Sequence, residues 1–229
     1  MPIQKTIVCL ANSRKVDGHC VAGKEYFGEG KFGAWIRRIS TSPSHSLSAK
    51  DRSYSGWREP ALLDLIEMSL EGHVPREHQT ENFVIDNGQQ WRKVGRLQWR
   101  ALGSAVDKFP GCLWSDGASS RNGRNDQIPM FKSKACTNSL LLLEPQEFLI
   151  CVREEGKYGA HRIRAEFGCE GTSYLLSVTD TVIEKQFKNK PVGKYPLAKA
   201  RICVSVGAPF PGPKDPCYKF VAGVILPPS

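Results

Sequence analysis

The chain has 229 residues, 40% of them hydrophobic and 24% charged, which suits one large or two small globular domains. Its 32 Lys and Arg against 23 Asp and Glu leave a formal charge of +9, so the expected partner is an anion and not a cation. No apolar run approaches the ~20 residues of a membrane span, and MPIQKTIVCL leads straight into a strand without the segments of a signal peptide, so a cytoplasmic setting is expected.

Period-2 alternation and β-branched residues predict strands at Lys5–Ala11, Val21–Phe27, Ala34–Ser40, Asp64–Leu70 and Phe83–Asp86. Further strands are expected at Leu140–Leu143, Glu147–Arg153, Ile163–Gly168, Tyr174–Val178, Ala200–Val206 and Lys219–Leu226. Helical signals are few. Pro60–Leu65 and Leu97–Val106 are candidates, and Thr181–Phe187 has Asp180 before it as an N-cap. Thr41–Trp57 and Lys108–Asn125 lack periodicity and read as loops, and the proline-rich Gly207–Pro216 reads as a rigid surface connection.

Two stretches share one layout. Thr6–Ala11 ends in Asn12-Ser13-Arg14-Lys15, then comes a glycine turn at Phe27–Gly30 and a strand at Trp35–Ser40. Glu147–Val152 ends in Arg153–Lys157, with a glycine turn at Phe167–Gly171 and a strand at Tyr174–Asp180. Self-similarity of this kind predicts two small β-barrel modules. With the boundary placed where regular apolar runs resume, the first covers residues 1–130 and the second 131–229. The eight cysteines include no CxxC pair, and Cys9, Cys151 and Cys203 lie inside apolar runs. Reduced thiols acting as small hydrophobes are expected, with no metal site and no cofactor.

Four segments carry candidate chemistry. Asn12–Gly23 offers Asn12, Arg14 and Lys15 as donors beside Gly18 and Gly23, a loop that can approach phosphate or simply connect two strands. In Trp35–Ser40, alternation places Trp35, Arg37 and Ile39 on one face. That pattern reads either as a stacking platform for a base or as a core tryptophan covered by an arginine stem. The segment His73–Asp86 concentrates His78, Gln79, Glu81 and Asn82, which suit a base edge, an acid–base pair or a hydrogen-bonded corner. Arg121–Asp126 joins Arg121 and Arg124 to Asp126, a candidate base that also fits ordinary turn chemistry. No nucleophile elbow or HExxH is present, and nothing here forces catalysis.

Taken together, IVCLANSRK with CVAG (Ile7–Gly23), WIR-x-x-S (Trp35–Ser40), HQTEN (His78–Asn82), G-x-ND-x-IP (Gly123–Pro129), VTD (Val178–Asp180) and CYKFVAGVI (Cys217–Ile225) resemble the dual OB-containing domain family of bacteria and archaea. The chain carries Arg38 where that pattern tends to have proline. The resemblance implies a mainly β fold, two OB-like β-barrels in tandem with short helices, and a nucleic-acid role in mobile-element or phage-defence settings. It supplies no catalytic residues.

The expected function is a nucleic-acid-binding module for single-stranded DNA or RNA, acting beside a separate effector protein in bacterial defence, with no membrane partner. Its expected contacts are Asn12, Arg14, Lys15, Trp35, Arg37, Gln79, Asn82, Arg121 and Arg124. The alternatives are a nucleotide or modified-base sensor with a pocket between the barrels, a phosphodiester- or base-modifying enzyme using Asp126, Glu81 and His78, and a protein adaptor.

Overall fold

A computed structural model describes residues 2–15, 17–109, 111–212 and 215–228. Val16, Pro110 and Pro213–Lys214, each inside a segment expected above to be a loop or connection, lie outside the described residues. The chain divides into two compact units at Val106/Asp107.

In the first unit the strands are β1 (Ile3–Lys15), β2 (Gly18–Tyr26), β3 (Phe32–Ile39), β4 (Asp64–His73), β5 (Asn82–Ile85) and β6 (Arg92–Arg96). They pair in the order β1-β2-β3-β5-β4, and β4 returns to β1, so the ring closes. β3 and β5 run parallel and the other pairs antiparallel. This is the five-stranded Greek-key barrel of the OB fold.

Closure depends on β1 serving two partners. Its Ile3–Val8 half pairs with β4, and Ile7–Lys15 pairs with β2. The register slips between Cys9 and Ala11, where the strand bends. Gly23 lies opposite that bend, and a Cβ there would stand 1.9 Å from the Val8 carbonyl oxygen. Inside the ring are Ile7, Cys9, Val21, Ile36, Ile66, Met68, Leu70, Ile85 and Trp91. Helix α1 (Ala49–Arg52) follows β3, started by a reciprocal capping box between Ser48 and Asp51.

The second unit contains β7 (Gln127–Ile128), α2 (Met130–Ser133), β8 (Leu140–Leu143), β9 (Phe148–Glu155), β10 (Ala160–Cys169), β11 (Thr172–Val178), α3 (Thr181–Phe187), β12 (Gly193–Pro196), β13 (Arg201–Pro209) and β14 (Cys217–Ile225). The order β9-β10-β11-β14-β13 repeats the first barrel, again with its third and fifth strands, β11 and β14, parallel. Here the shared first strand is broken. β8 pairs with β13, β9 pairs with β10, and Glu144–Glu147 with Pro145 separates them.

Every predicted strand is present, and the two similar stretches occupy equivalent places in the two barrels, β1 matching β9 and the β2–β3 hairpin matching β10–β11. β6, β7 and β12 are additional short strands. Pro60–Leu65 is not a helix: the chain turns there and enters β4, with the Asp64 carboxylate accepting from Ala61 N–H at 3.0 Å and Tyr54 O–H at 3.1 Å. Leu97–Val106 forms a 3-10 segment over Trp99–Ala105. The boundary also differs from the expected one near residue 130. Residues 107–130 join the second unit, where Leu113 and Ile128 are fully buried and the Asp107 carboxylate accepts from Leu142 N–H at 2.8 Å. Among the described residues no helix is long and apolar enough to cross a membrane.

Asp180 links the helix to the second barrel. One carboxylate oxygen accepts from Val182 and Ile183 N–H at 2.9 and 3.1 Å, and the other accepts from Val224 N–H on β14 at 2.9 Å. Asp180→Ala removes a cap and strands a buried β14 amide, so unfolding in denaturant should show a loss of about 2–4 kcal/mol. Asp180→Asn, which keeps an acceptor, should lose less.

Candidate nucleic-acid interface

At one end of the first barrel, the β1–β2 hairpin, the β3–α1 loop and the β4–β5 turn meet. The Lys15 ammonium donates to the Ser44 carbonyl, and the Ser46 hydroxyl donates to the Asp17 carbonyl at 3.1 Å. His19 and Leu47 exchange backbone hydrogen bonds at 3.0 and 2.8 Å. Arg76 meets the imidazole of His45, whose other ring nitrogen faces the Ser40 carbonyl at 3.2 Å. The hydroxyls of Ser40, Ser42, Ser44 and Ser46 run as a chain through the β3–α1 loop.

Asn12 and Lys15 belong to this end, although Asn12–Lys15 and Gly18–Gly23 are paired strand rather than loop. The Asn12 carboxamide is buried, donating to the Pro60 carbonyl at 2.9 Å and accepting from His19 at 3.1 Å. Gly18 and Gly23 make close approaches to their own chain and not to a ligand, since a Cβ on Gly18 would stand 2.6 Å from the Leu47 carbonyl oxygen. Arg14, Arg58 and Arg76 are exposed, and Lys15, His19 and His45 are half-buried. Burial pulls the Lys15 pKa down, and burial with the nearby Arg52 charge does the same to His19. Asp17 and Glu77 are the exposed acids in the hairpin and the β4–β5 turn.

Trp35 and Arg37 have a different environment from the stacking platform expected of them. Both are buried, at 8% and 6% exposure. Arg37 Nε donates to Glu81 at 3.1 Å, and its Nη1 approaches Cys20 Sγ at 3.8 Å. The Lys24 ammonium lies 5.5 Å from the Trp35 ring and donates to the Ala105 carbonyl at 2.7 Å. The outer face of β2–β3 is therefore covered at these positions by the chain's own segments. On the inner face Arg38 is fully buried, 3.6 Å above the Trp91 ring, with Nη1 near Met68 Sδ at 3.6 Å. Among the described residues its Nε and Nη2 meet no acceptor, and burial pulls its pKa to about 10, so it stays charged at neutral pH.

The HQTEN segment also turns inward. His78, Glu81 and Asn82 are buried, Asn82 Nδ2 faces Gln79 Oε1 at 3.5 Å, and Arg76 and Gln79 exchange backbone bonds that close the turn. His78 and Glu81 thus sit within a hydrogen-bonded corner rather than facing a substrate.

In the second unit, residues 124–128 fill the wedge where the parallel strands β11 and β14 separate. Arg124 exchanges backbone bonds with Leu175, β7 pairs with β14, and Lys219 N–H donates to the Asp126 carbonyl at 2.8 Å. The Asp126 side chain, 3% exposed, accepts from Ser120 N–H and hydroxyl, both at 2.6 Å. Gly123 lies against that carboxylate, where a Cβ would stand 1.9 Å from Oδ2. Asp126 is a loop fastener in this arrangement, not an accessible base. Beside it Glu155 holds Arg164 by two bonds and accepts from Asn122 at 3.1 Å. Arg121 and Arg124 are exposed, the latter donating to Ser173 at 2.8 Å and Glu166 at 3.4 Å.

The candidate contacts thus fall in two groups, Asn12, Arg14, Lys15, Trp35, Arg37, Gln79 and Asn82 in the first unit and Arg121 and Arg124 in the second. Sequence reasoning missed Arg76 and His45 at the barrel end, and the exposed Arg58 in the turn that Asn12 ties to β1. The alternating serines from Ser40 to Ser46 were the available signal, since they mark a loop built to bond itself. The family model described as dual OB-containing domain matches residues 5–224. No curated protein matches the chain.

Glu81→Ala leaves the Arg37 guanidinium buried without its carboxylate and should lower stability by about 3–5 kcal/mol in denaturant unfolding, whereas Arg37→Met with Glu81→Leu should cost far less. Burial raises the Glu155 pKa, but the bonds and charge of Arg164, aided by Arg153, hold it below its ordinary value. Such a carboxylate stabilises above its unfolded pKa of about 4.3 and loses that contribution as pH falls through the lower folded value. The stability gap between wild type and Glu155→Gln should therefore be present at neutral pH and shrink below about pH 4.

Proposed function

Because the chain belongs to the dual OB-containing domain family, we propose that it is a nucleic-acid-binding module that holds single-stranded DNA or RNA across the loop-bearing end of its first barrel. The observation that carries this reading is a set of loops locked to one another by their own hydrogen bonds, which bear the exposed Arg14 and Arg76 together with Lys15, His19 and His45, while the exposed Arg58 belongs to the turn tied to β1 through the Asn12–Pro60 bond. OB barrels take oligonucleotides on the β2–β3 face and on the loops after their first and fourth strands. Here that face is covered around Trp35 and Arg37, which favours the loops.

The nearby buried carboxylate does not oppose a polyanion, because Glu81 is paired with Arg37. Glu59, held below its usual pKa by Arg52, is likewise neutralised locally. Asp17 in the hairpin and Glu77 in the β4–β5 turn are exposed opposing charges, so attraction should be moderate and salt-sensitive. The chain offers binding rather than chemistry, and on this reading a separate effector acts on what it captures, in a bacterial defence setting.

Fluorescence anisotropy of a labelled single strand should show log K falling with log salt by about 0.7 for each phosphate engaged. Arg14→Ala, Arg58→Ala and Arg76→Ala should each flatten that slope by roughly 0.7–1. Binding that ignores salt, or slopes identical in all three variants and wild type, would exclude this interface.

A further inference from the structure

Trp57 is the exception among the tryptophans. Trp35 and Trp91 are buried and Trp99 and Trp114 half-buried, but Trp57 is 73% exposed. It sits at the tip of a turn closed by Tyr54 N–H to the Arg58 carbonyl at 2.8 Å and by its own N–H to the Tyr54 carbonyl at 3.1 Å. Its φ of 60° follows a Gly56 φ of 76°, a left-handed pair that a bulky residue rarely joins. Such outliers persist where the surroundings over-determine them, and they cluster at ligand clamps.

The surroundings do fix this turn. On one side Arg52 is buried against Glu59, and Tyr54 is buried with its hydroxyl on Asp64 at 3.1 Å. On the other side the Pro60 carbonyl accepts from Asn12 of β1 at 2.9 Å. The feet are bonded on both sides and the ring at the tip is solvated. Among the described residues no aromatic ring, cation or hydrogen-bond partner meets the Trp57 side chain.

The ring's neighbours along the turn are Ser55, Gly56, Arg58 and Glu59, all exposed. That setting is too polar and too small to act as the core of a protein interface, which needs contiguous apolar area. It suits instead one planar ring with a cation beside it. The Asn12 bond ties the turn to the strand that carries Arg14 and Lys15, and the Arg52 charge is felt by His19.

We infer that Trp57 is a base-stacking finger, receiving one unpaired base of a nucleic-acid strand whose phosphates lie along Arg58 and the neighbouring basic loops. This rests on the binding reading above and narrows it. An indole face can take a base only when that base is unstacked from its neighbours, so single strands are bound in preference to duplex. Every base presents such a face, so sequence matters little.

The test uses the full chain with a homothymidine oligonucleotide and, separately, inorganic polyphosphate, which has the charge but no bases. Trp57→Ala should weaken oligonucleotide binding by roughly 5- to 100-fold, the range that base–aromatic stacking supports. It should leave polyphosphate binding and the melting temperature unchanged, and Trp57→Phe should recover much of the loss. Wild-type tryptophan emission should be quenched by the oligonucleotide and, in Trp57→Ala, should lose that response.

Oligonucleotide affinity equal to wild type in Trp57→Ala overturns the finger while leaving the basic interface standing. An equal loss for polyphosphate does the same, because it would assign the effect to charge or loop shape. Sedimentation in which Trp57→Ala dissolves a self-associated form without altering oligonucleotide binding also overturns it. Wild type that binds neither ligand removes the interface itself, and the finger with it.

Discussion

Closure of the first ring rests on a single strand pairing with two others. A short sheet curls into a barrel only if one strand bends far enough to reach the opposite edge, and β1 does this by slipping register between Cys9 and Ala11. Gly23 is obliged to be glycine because the bend presses the Val8 carbonyl into the space a side chain would fill. Once the ring is shut, the β1–β2 hairpin, the β3–α1 loop and the β4–β5 turn are forced to one end, where His19 bonds Leu47 and Lys15 bonds Ser44. In the second unit the same duty falls to two strands with Pro145 between them, and residues 124–128 brace the sheet where β11 and β14 diverge.

The formal charge of +9 overstates what a partner meets at the surface. Lys24, Arg37, Arg38, Arg52, Arg164, Arg201 and Lys219 are all buried. Several are paired: Arg37 with Glu81, Arg164 with Glu155, Arg201 with Glu144, and Lys219 with Asp116. Lys219 is enclosed further by the Ser115 carbonyl at 2.6 Å and the Tyr174 ring, and burial lowers its pKa. Cations in these positions set strand contacts and loop geometry, since removing either partner strands a charge in a poor solvent for it. Arg38 differs because no carboxylate among the described residues meets it. The Trp91 face supplies the attraction that partly offsets its desolvation.

The strands were legible because alternation is a local property, and TIVCLA and EFLICV could be matched because equivalent strands need the same pattern. Which face of a strand is wet is not local. Alternation correctly put Trp35 and Arg37 on one side, but their burial is decided by Lys24, Ala105 and Glu81, with Lys24 bonded to Ala105 across 81 positions and Arg37 to Glu81 across 44. The expected boundary failed for a related reason. Residues 107–130 have no period, since they contribute isolated plugs such as Leu113 and Ile128 to a core made by later strands. The VTD and G-x-ND-x-IP motifs were visible, yet their content is structural: Asp180 caps α3 and holds β14, while Asp126 fastens its own loop.

What the fold leaves for recognition follows from what it has already used. The outer surface of β2–β3 is occupied where Lys24 reaches Ala105 and the Gly30 carbonyl accepts from Ser104 at 2.9 Å. A strand lying flat across that face would have to displace those contacts. The loop end demands no such rearrangement, because serine hydroxyls and backbone pairs already hold its geometry, and groups ordered in advance lose little entropy on binding. Preorganised cations without a base-reading groove produce affinity that tolerates sequence and falls with salt. On the binding reading proposed above, such a module registers that a strand is present without discriminating its sequence.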